Sequence, residues 1–136
     1  MKALNSHAVM QSNNQFFLAF LEAALWSECD SEGEPLEDSF SFSDIDQNSA
    51  DMIKQVCLEF IEKAGNDAIL EHNYQRAGHD FYLTIAGHGV GFWDGDWPEN
   101  GEILTEICEN WINHISVTDD SETIYIDVST IGKDNC

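Results

Sequence analysis

Four residues in one short stretch carry side chains that could do chemistry: His79, Asp80, His88 and Asp94. Imidazole nitrogens and carboxylate oxygens together form the donor set of a divalent-metal site. If the stretch folds as a hairpin, Asp80 and His88 approach each other across its turn, with His79 beside them. A plainer account competes. Gly-His-Asp is also a turn sequence, in which Asp80 holds backbone N–H groups, and Gly87, Gly89 and Gly91 permit positive φ and close packing. The plainer account is the stronger, so no metal or other cofactor is expected. Catalysis has less support still. No two carboxylates stand out as an acid and base pair. His72, His79, His88 and His114 have no nucleophile at a recognised spacing, and neither Ser nor Cys lies in a nucleophile elbow. Gly87-His-Gly-Val-Gly91 sits inside the hairpin pattern, not between a strand and a helix, so it does not read as a phosphate loop. The chain is expected not to be an enzyme.

Charge is the more telling signal. The 136 residues hold 26 Asp and Glu against 5 Lys and Arg, a formal charge of −21. No Lys or Arg lies between Lys2 and Lys54, and none between Arg76 and Lys133. Local ion pairs can therefore neutralise few of the carboxylates, and the folded chain must repel itself. Direct contact with nucleic-acid phosphates is disfavoured for the same reason. Apolar residues make up 43 %, with 8 Phe and 4 Trp, enough for a core in one ordinary domain spanning 1–136. Cys29, Cys57, Cys108 and Cys136 form no C-x-x-C pair, which points away from a zinc knuckle. With no leader-like or membrane-length apolar run, the reading is a cytoplasmic protein with reduced thiols and no membrane partner.

The elements that would position these groups can be read from periodicity. Residues 1–11 carry no pattern and are expected to fray. Ser12-Asn-Asn-Gln15 has the form of a capping box, followed by Phe16, Phe17, Phe20, Leu21, Ala24 and Leu25 at helical spacing, which predicts a helix over about 13–27. Residues 28–46 form a long acidic loop holding Glu28, Asp30, Glu32, Glu34, Glu37, Asp38, Asp44 and Asp46 with no base. Loops of that length are uncommon in compact domains and are often functional. Ser49 reads as the N-cap of a second helix, whose stripe is Ile53, Val56, Cys57, Phe60, Ile61 and Ala64, with Gly65 beyond it. A short helical turn follows near 67–71. From Asp80 the period changes to two, and Phe81–Trp93 reads as a hairpin around Gly87-His-Gly89. A third helix starts near Glu99 or Asn100 with the stripe Ile103, Leu104, Ile107, Cys108, Trp111 and Ile112. Thr123–Val128 is a strand with Ile124, Ile126 and Val128 on one face, and a partner strand begins near Val117. The expected fold class is α+β, a small antiparallel sheet of three or four strands with about three helices, in the order α-α-β-β-α-β.

Residues 78–94, Gly-His-Asp-Phe-Tyr-Leu-Thr-Ile-Ala-Gly-His-Gly-Val-Gly-Phe-Trp-Asp, resemble the central motif of a family of small uncharacterised phage and prophage proteins, which commonly read GHDFWLTRNGHGAGFWD there. The resemblance extends to Phe20–Trp26, Gly33–Asp38, the helix over 50–64, Leu104-Thr-Glu106 and the Tyr125 region, and covers roughly 16–128. Relatives often carry Arg-Asn where this chain has Ile85-Ala86, so any contact made by that Arg is missing here. The resemblance implies a mobile-element origin and no particular mechanism.

Origin and charge together suggest an inhibitor. A phage protein gains by blocking a host CRISPR or restriction complex, whose nucleic-acid groove is lined with Lys and Arg. An ordered array of carboxylates could occupy such a groove as a mimic of the DNA backbone. The residues expected to make the contact are Glu32, Glu34, Glu37, Asp38, Asp44 and Asp46 of the acidic loop, Asp96 and Glu99, and Glu102, Glu106 and Glu109 on the outer face of the third helix. The expected partner is thus a basic nucleic-acid-binding protein of the host, not nucleic acid itself. Two alternatives come from other classes. One is a non-inhibitory accessory module anchored on a partner by Trp26, Trp93 and Trp97, its charge serving solubility. The lesser one is a metal-binding protein using His79, Asp80 and His88. Phe16, Phe17 and Trp111 leave room for a homodimer.

Overall fold

The computed structural model describes residues 6–30, 32–87, 91–111, 115–120 and 122–128. In chain order it comprises α1 (Ser6–Ser27), two 3-10 turns (Leu36–Asp38 and Phe42–Asp44), α2 (Gln47–Ala64), α3 (Asn66–Ile69), α4 (Tyr74–Ala86), α5 (Gly101–Cys108), β1 (Ile115–Asp119) and β2 (Ile124–Val128). The class is α+β, with five α-helices and a two-stranded antiparallel sheet among the described residues.

The first strand of the expected hairpin is helical instead: residues 81–86 belong to α4, and residues 88–90 of its turn lie outside the described residues. Asn73 caps α4, its side chain accepting from the Arg76 N–H at 2.7 Å, and Gly87 closes it in the left-handed region at φ 76°. Nine residues of α4, including every one from Asp80 to Ile85, are buried. Gln75, Arg76 and His79 form its solvent face over the first turns, but from Asp80 to Ile85 the buried residues run unbroken and the 3.6-residue period is hidden there. The run Phe81–Ile85 then looks like alternation. Thr84 satisfies its hydroxyl within the helix by donating to the Asp80 carbonyl at 2.7 Å. With the hairpin gone, the order becomes five helices followed by β1 and β2.

α1 packs along α4 and begins at Ser6, so Ser12–Gln15 lies inside the helix and is not its start, and residues 6–11 are helical. Residues 1–5 lie outside the described residues. Phe81 is the hub of the core. Its ring stacks on Phe60 at 4.3 Å and meets Phe16, Phe20 and Trp111 between 5.5 and 5.7 Å. Phe16 and Trp111 are fully buried, so neither is available to a second copy; Phe17 is half-buried beneath Lys54.

α2 follows its predicted stripe, with Ile53, Val56, Cys57 and Phe60 buried. Its N-cap is Asp46, whose carboxylate accepts from the Ser49 N–H at 3.1 Å. The Ser49 side chain, relieved of capping, serves the sheet: its hydroxyl accepts from the buried Ile126 N–H at 2.9 Å. β2 is fixed to the helical layer by that bond and by Asp46 N–H donating to the Ile124 carbonyl at 2.8 Å. β1 pairs with β2 in the register Val117 to Ile126. Ser49→Ala removes the hydroxyl that receives this buried N–H, and an orphaned buried donor costs about 1–3 kcal/mol. Urea denaturation should show a loss in that range; a loss below about 0.5 kcal/mol would mean the strand finds its anchorage elsewhere.

Cys57 and Cys108 are buried thiols, and burial pushes both well above the ordinary thiol range. Cys29 is exposed, and Cys136 lies outside the described residues.

Candidate functional site

The segment 91–98 and α5 build one surface together. Phe92 and Trp97 turn inward and are 1 % and 2 % exposed. Two buried bonds secure them. The Phe92 N–H donates to Thr84 Oγ1 at 3.0 Å, and Trp97 Nε1 donates to Asp80 Oδ2 at 2.7 Å. Gly91 must be glycine at the start of the segment: its φ is +148°, and a Cβ there would lie 2.1 Å from Thr84 Oγ1. Asp94 ties the turn by accepting from the N–H groups of Gly91 and Asp96. With its neighbours pinned, Trp93 is left outside, 54 % exposed.

α5 continues from this segment. Glu71 caps its approach, accepting from the backbone N–H of Glu99 and Asn100 and from the Asn100 amide. Burial acts to raise the Glu71 carboxyl, but those donors outweigh it and hold it below the ordinary range. Leu104, Cys108 and Trp111 face the core, which leaves Glu102, Glu106 and Glu109 exposed. Ile103, expected in the apolar stripe, is 54 % exposed. The three glutamates line a groove of about 530 Å³ that Trp93, Trp97 and Pro98 also line. Successive carboxylates rise by about 6 and 4.5 Å along the helix axis. Alternate phosphates of one DNA strand rise by about 6.8 Å.

Glu106 and Glu109 stand at the C-terminal end of α5, where the helix dipole disfavours anions. We expect Glu106→Gln and Glu109→Gln each to raise stability by about 0.3–1 kcal/mol at low ionic strength, read as a higher urea midpoint. A fall in stability from either would show that the carboxylates serve the fold.

The acidic segment 28–46 is tied down along much of its length. Glu28 bonds Tyr82, Leu36 is buried and its N–H donates to the Glu28 carbonyl at 3.0 Å, and Cys29 and Pro35 face each other in an isolated β-bridge. Asp30 accepts from the N–H groups of Glu32 and Glu34. Glu32, Glu34, Glu37 and Asp38 are exposed. The remaining predicted contact residues have work inside the protein. Asp44 accepts from the Ser41 N–H, Asp46 caps α2, and Asp96 pairs with Arg76 at 2.8 Å. Glu99 is exposed, and its N–H is held by Glu71. Among the described residues, Lys and Arg pair with Glu59, Asp80 and Asp96; none pairs with the exposed acids of 32–38 or of α5.

No family model, no curated protein and no solved structure matches the chain.

The metal reading loses its geometry. His79 and Asp80 are successive residues of α4, not strand residues facing His88 across a turn, and His88 lies outside the described residues. Asp80 is 5 % exposed and already engaged: Oδ2 accepts from Arg76 Nε at 2.9 Å as well as from Trp97, and Oδ1 lies 3.6 Å from His79 Nδ1. Nor does it cap a turn. No group of three metal-capable side chains occurs among the described residues. Beside this network is a second cavity of about 530 Å³, lined by Glu22, His72, Arg76, His79, Asp94 and Asp96 among others. His72 Nε2 bonds the Asp96 carbonyl at 2.6 Å, and the His79 ring rests on the exposed Trp26. The sequence hinted at this cluster only through the i, i+4 spacing of Arg76 and Asp80, a signal that exists once α4 is known to be a helix.

Proposed function

We propose that this protein is an acidic inhibitor of a host nucleic-acid-binding defence complex, of the CRISPR or restriction type, and that it occupies the basic groove of its target as a mimic of the DNA backbone. The observation that carries this reading is the exposed row Glu102, Glu106 and Glu109 on α5, without a basic neighbour in any described ion pair. Two of the three are placed against the helix dipole, a choice that stability does not explain. The exposed acids at 32–38 add further carboxylates on a backbone held by its own hydrogen bonds. Lysines and arginines of a target groove would exchange their phosphate contacts for these carboxylates, and steering by the −21 charge would speed the encounter. The resemblance of residues 78–94 to phage and prophage proteins supports a setting in which such inhibition is useful.

The test is competition. The protein should displace labelled duplex DNA from restriction and CRISPR complexes at about 50 mM salt and lose most of that effect by about 200 mM. Changing Glu102, Glu106 and Glu109 together to Lys should abolish displacement while leaving the circular dichroism spectrum intact. Displacement that survives both this triple change and neutralisation of Glu32, Glu34, Glu37 and Asp38 rules mimicry out.

One observation favours the accessory-module reading: Trp26 and Trp93 are each 54 % exposed, as partner anchors must be. Trp97, the third expected anchor, is buried. An aromatic-anchored complex would hold its affinity across the same salt range.

A further inference from the structure

We infer that the groove between Trp93 and α5 is an arginine-binding site, which takes an arginine-bearing stretch of the basic partner with a guanidinium laid over the Trp93 indole and paired with the α5 carboxylates. This rests on the preceding reading that the partner is basic, and it specifies which basic residue is recognised and where.

The groove is lined by a row of three carboxylates and by an aromatic, apolar set in which Trp93 is exposed beside Trp97 and Pro98. A carboxylate row alone attracts any cation. An exposed indole lining the same groove adds a preference, because the negative face of the ring attracts a cation and a planar guanidinium can stack on it while its N–H fork meets a carboxylate. An ammonium is a compact, strongly hydrated charge and gains less from the flat face. A volume near 530 Å³ falls within the range of ligand sites, so a short segment fits and not merely one side chain. Charge selects among the occupants. A second copy of this chain would bring −21 onto −21, and a stacked nucleobase would bring its phosphate against Glu102, Glu106 and Glu109.

The geometry also accounts for the construction of the 91–98 segment. Phe92 and Trp97 are buried and bonded on either side of Trp93. A backbone held on both sides of the indole loses little freedom on binding, which lowers the cost of association.

The experiment uses the full chain with Trp26→Phe, so that emission from exposed tryptophan reports Trp93. The probes are an all-lysine peptide and the same peptide with one central arginine. The arginine peptide should bind about two- to fivefold more tightly and change the Trp93 emission. Trp93→Ala should bring both peptides to the lysine affinity, and Trp93→Phe should keep part of the preference. Because Trp93 lies outside the core, these variants should retain the wild-type melting curve. Equal affinity for the two peptides, or a preference that survives Trp93→Ala, overturns the site. In that event, salt-sensitive binding of both peptides that disappears in the Glu102/Glu106/Glu109→Lys protein would leave the basic-partner reading standing. If neither peptide binds at low salt, both readings fall.

Discussion

Gly78→Ala should lower the melting temperature by about 10 °C or more and leave much of the protein aggregated. Gly78 lies where α4 crosses α1, and a Cβ there would sit 2.1 Å from the Phe16 carbonyl oxygen and 2.8 Å from its carbon. The obstacle is backbone, so no side chain can swing aside. α1 and α4 would have to separate by about an ångström or more, and that crossing holds Phe16 and Phe20 against Phe81. Close-packed interiors do not stretch; rings pulled apart lose their contacts without gaining water. Overpacking of this kind costs about 3 kcal/mol or more, a large part of a domain's reserve. That reserve is already reduced by self-repulsion, so added salt should recover part of the loss. Gly95→Ala is the control. Its φ is +103° but nothing lies within 4 Å of the new Cβ, so only local strain of about 1–2 kcal/mol is expected. A Gly78→Ala protein melting within about 3 °C of wild type would show that the crossing has slack.

This crossing explains why part of the fold could be read from the sequence and part could not. α2 and β2 each bury one face and show solvent the other, and their stripes are plain: Ile53, Val56, Cys57 and Phe60 in one, Ile124 and Ile126 in the other. α4 shows solvent Gln75, Arg76 and His79 in its first turns and is buried without a break from Asp80 to Ile85, so that stretch reports burial and not period. The cues to its helical state are its ends, Asn73 and Gly87. Gly87 misleads because a glycine that ends a helix and one that turns a hairpin meet the same demand for positive φ. Likewise the glutamates of α5 can be placed on the outer face from the stripe opposite them. Which tryptophan faces outward cannot: Trp93 and Trp97 differ only in that Trp97 has Asp80 to bond, and Asp80 reaches it through tertiary structure.

Asp80→Ala should cost about 2–3 kcal/mol at neutral pH and loosen the segment that carries Trp93. The carboxylate is buried and receives Arg76 Nε and Trp97 Nε1 on one oxygen. Removing it orphans a buried indole N–H and frees Arg76, which also holds Asp96. Because the Arg76 side chain is 41 % exposed, the charge pair is partly screened, and most of the loss comes from the indole bond. The pH dependence separates this account from simple loss of packing. Burial acts to raise the Asp80 carboxyl, but contacts from His79, Trp97 and Arg76 outweigh it and hold it below the ordinary carboxylate range. A depressed folded-state pKa means that the stabilisation is complete above the unfolded value near about 4 and is lost as pH falls through the folded value. The gap between wild type and Asp80→Asn should therefore be present at about pH 5 and close below about pH 4. The self-repulsion of the surface acids runs the other way, easing as they take up protons, and it affects both proteins alike. Glu71 and Asp120 are also held low and titrate in both, so below about pH 5 the difference curve reports Asp80. A gap that stays open at acid pH would mean that Asp80 acts by its shape, and Trp93 would then owe its exposure to packing and not to the ionised carboxylate behind Trp97.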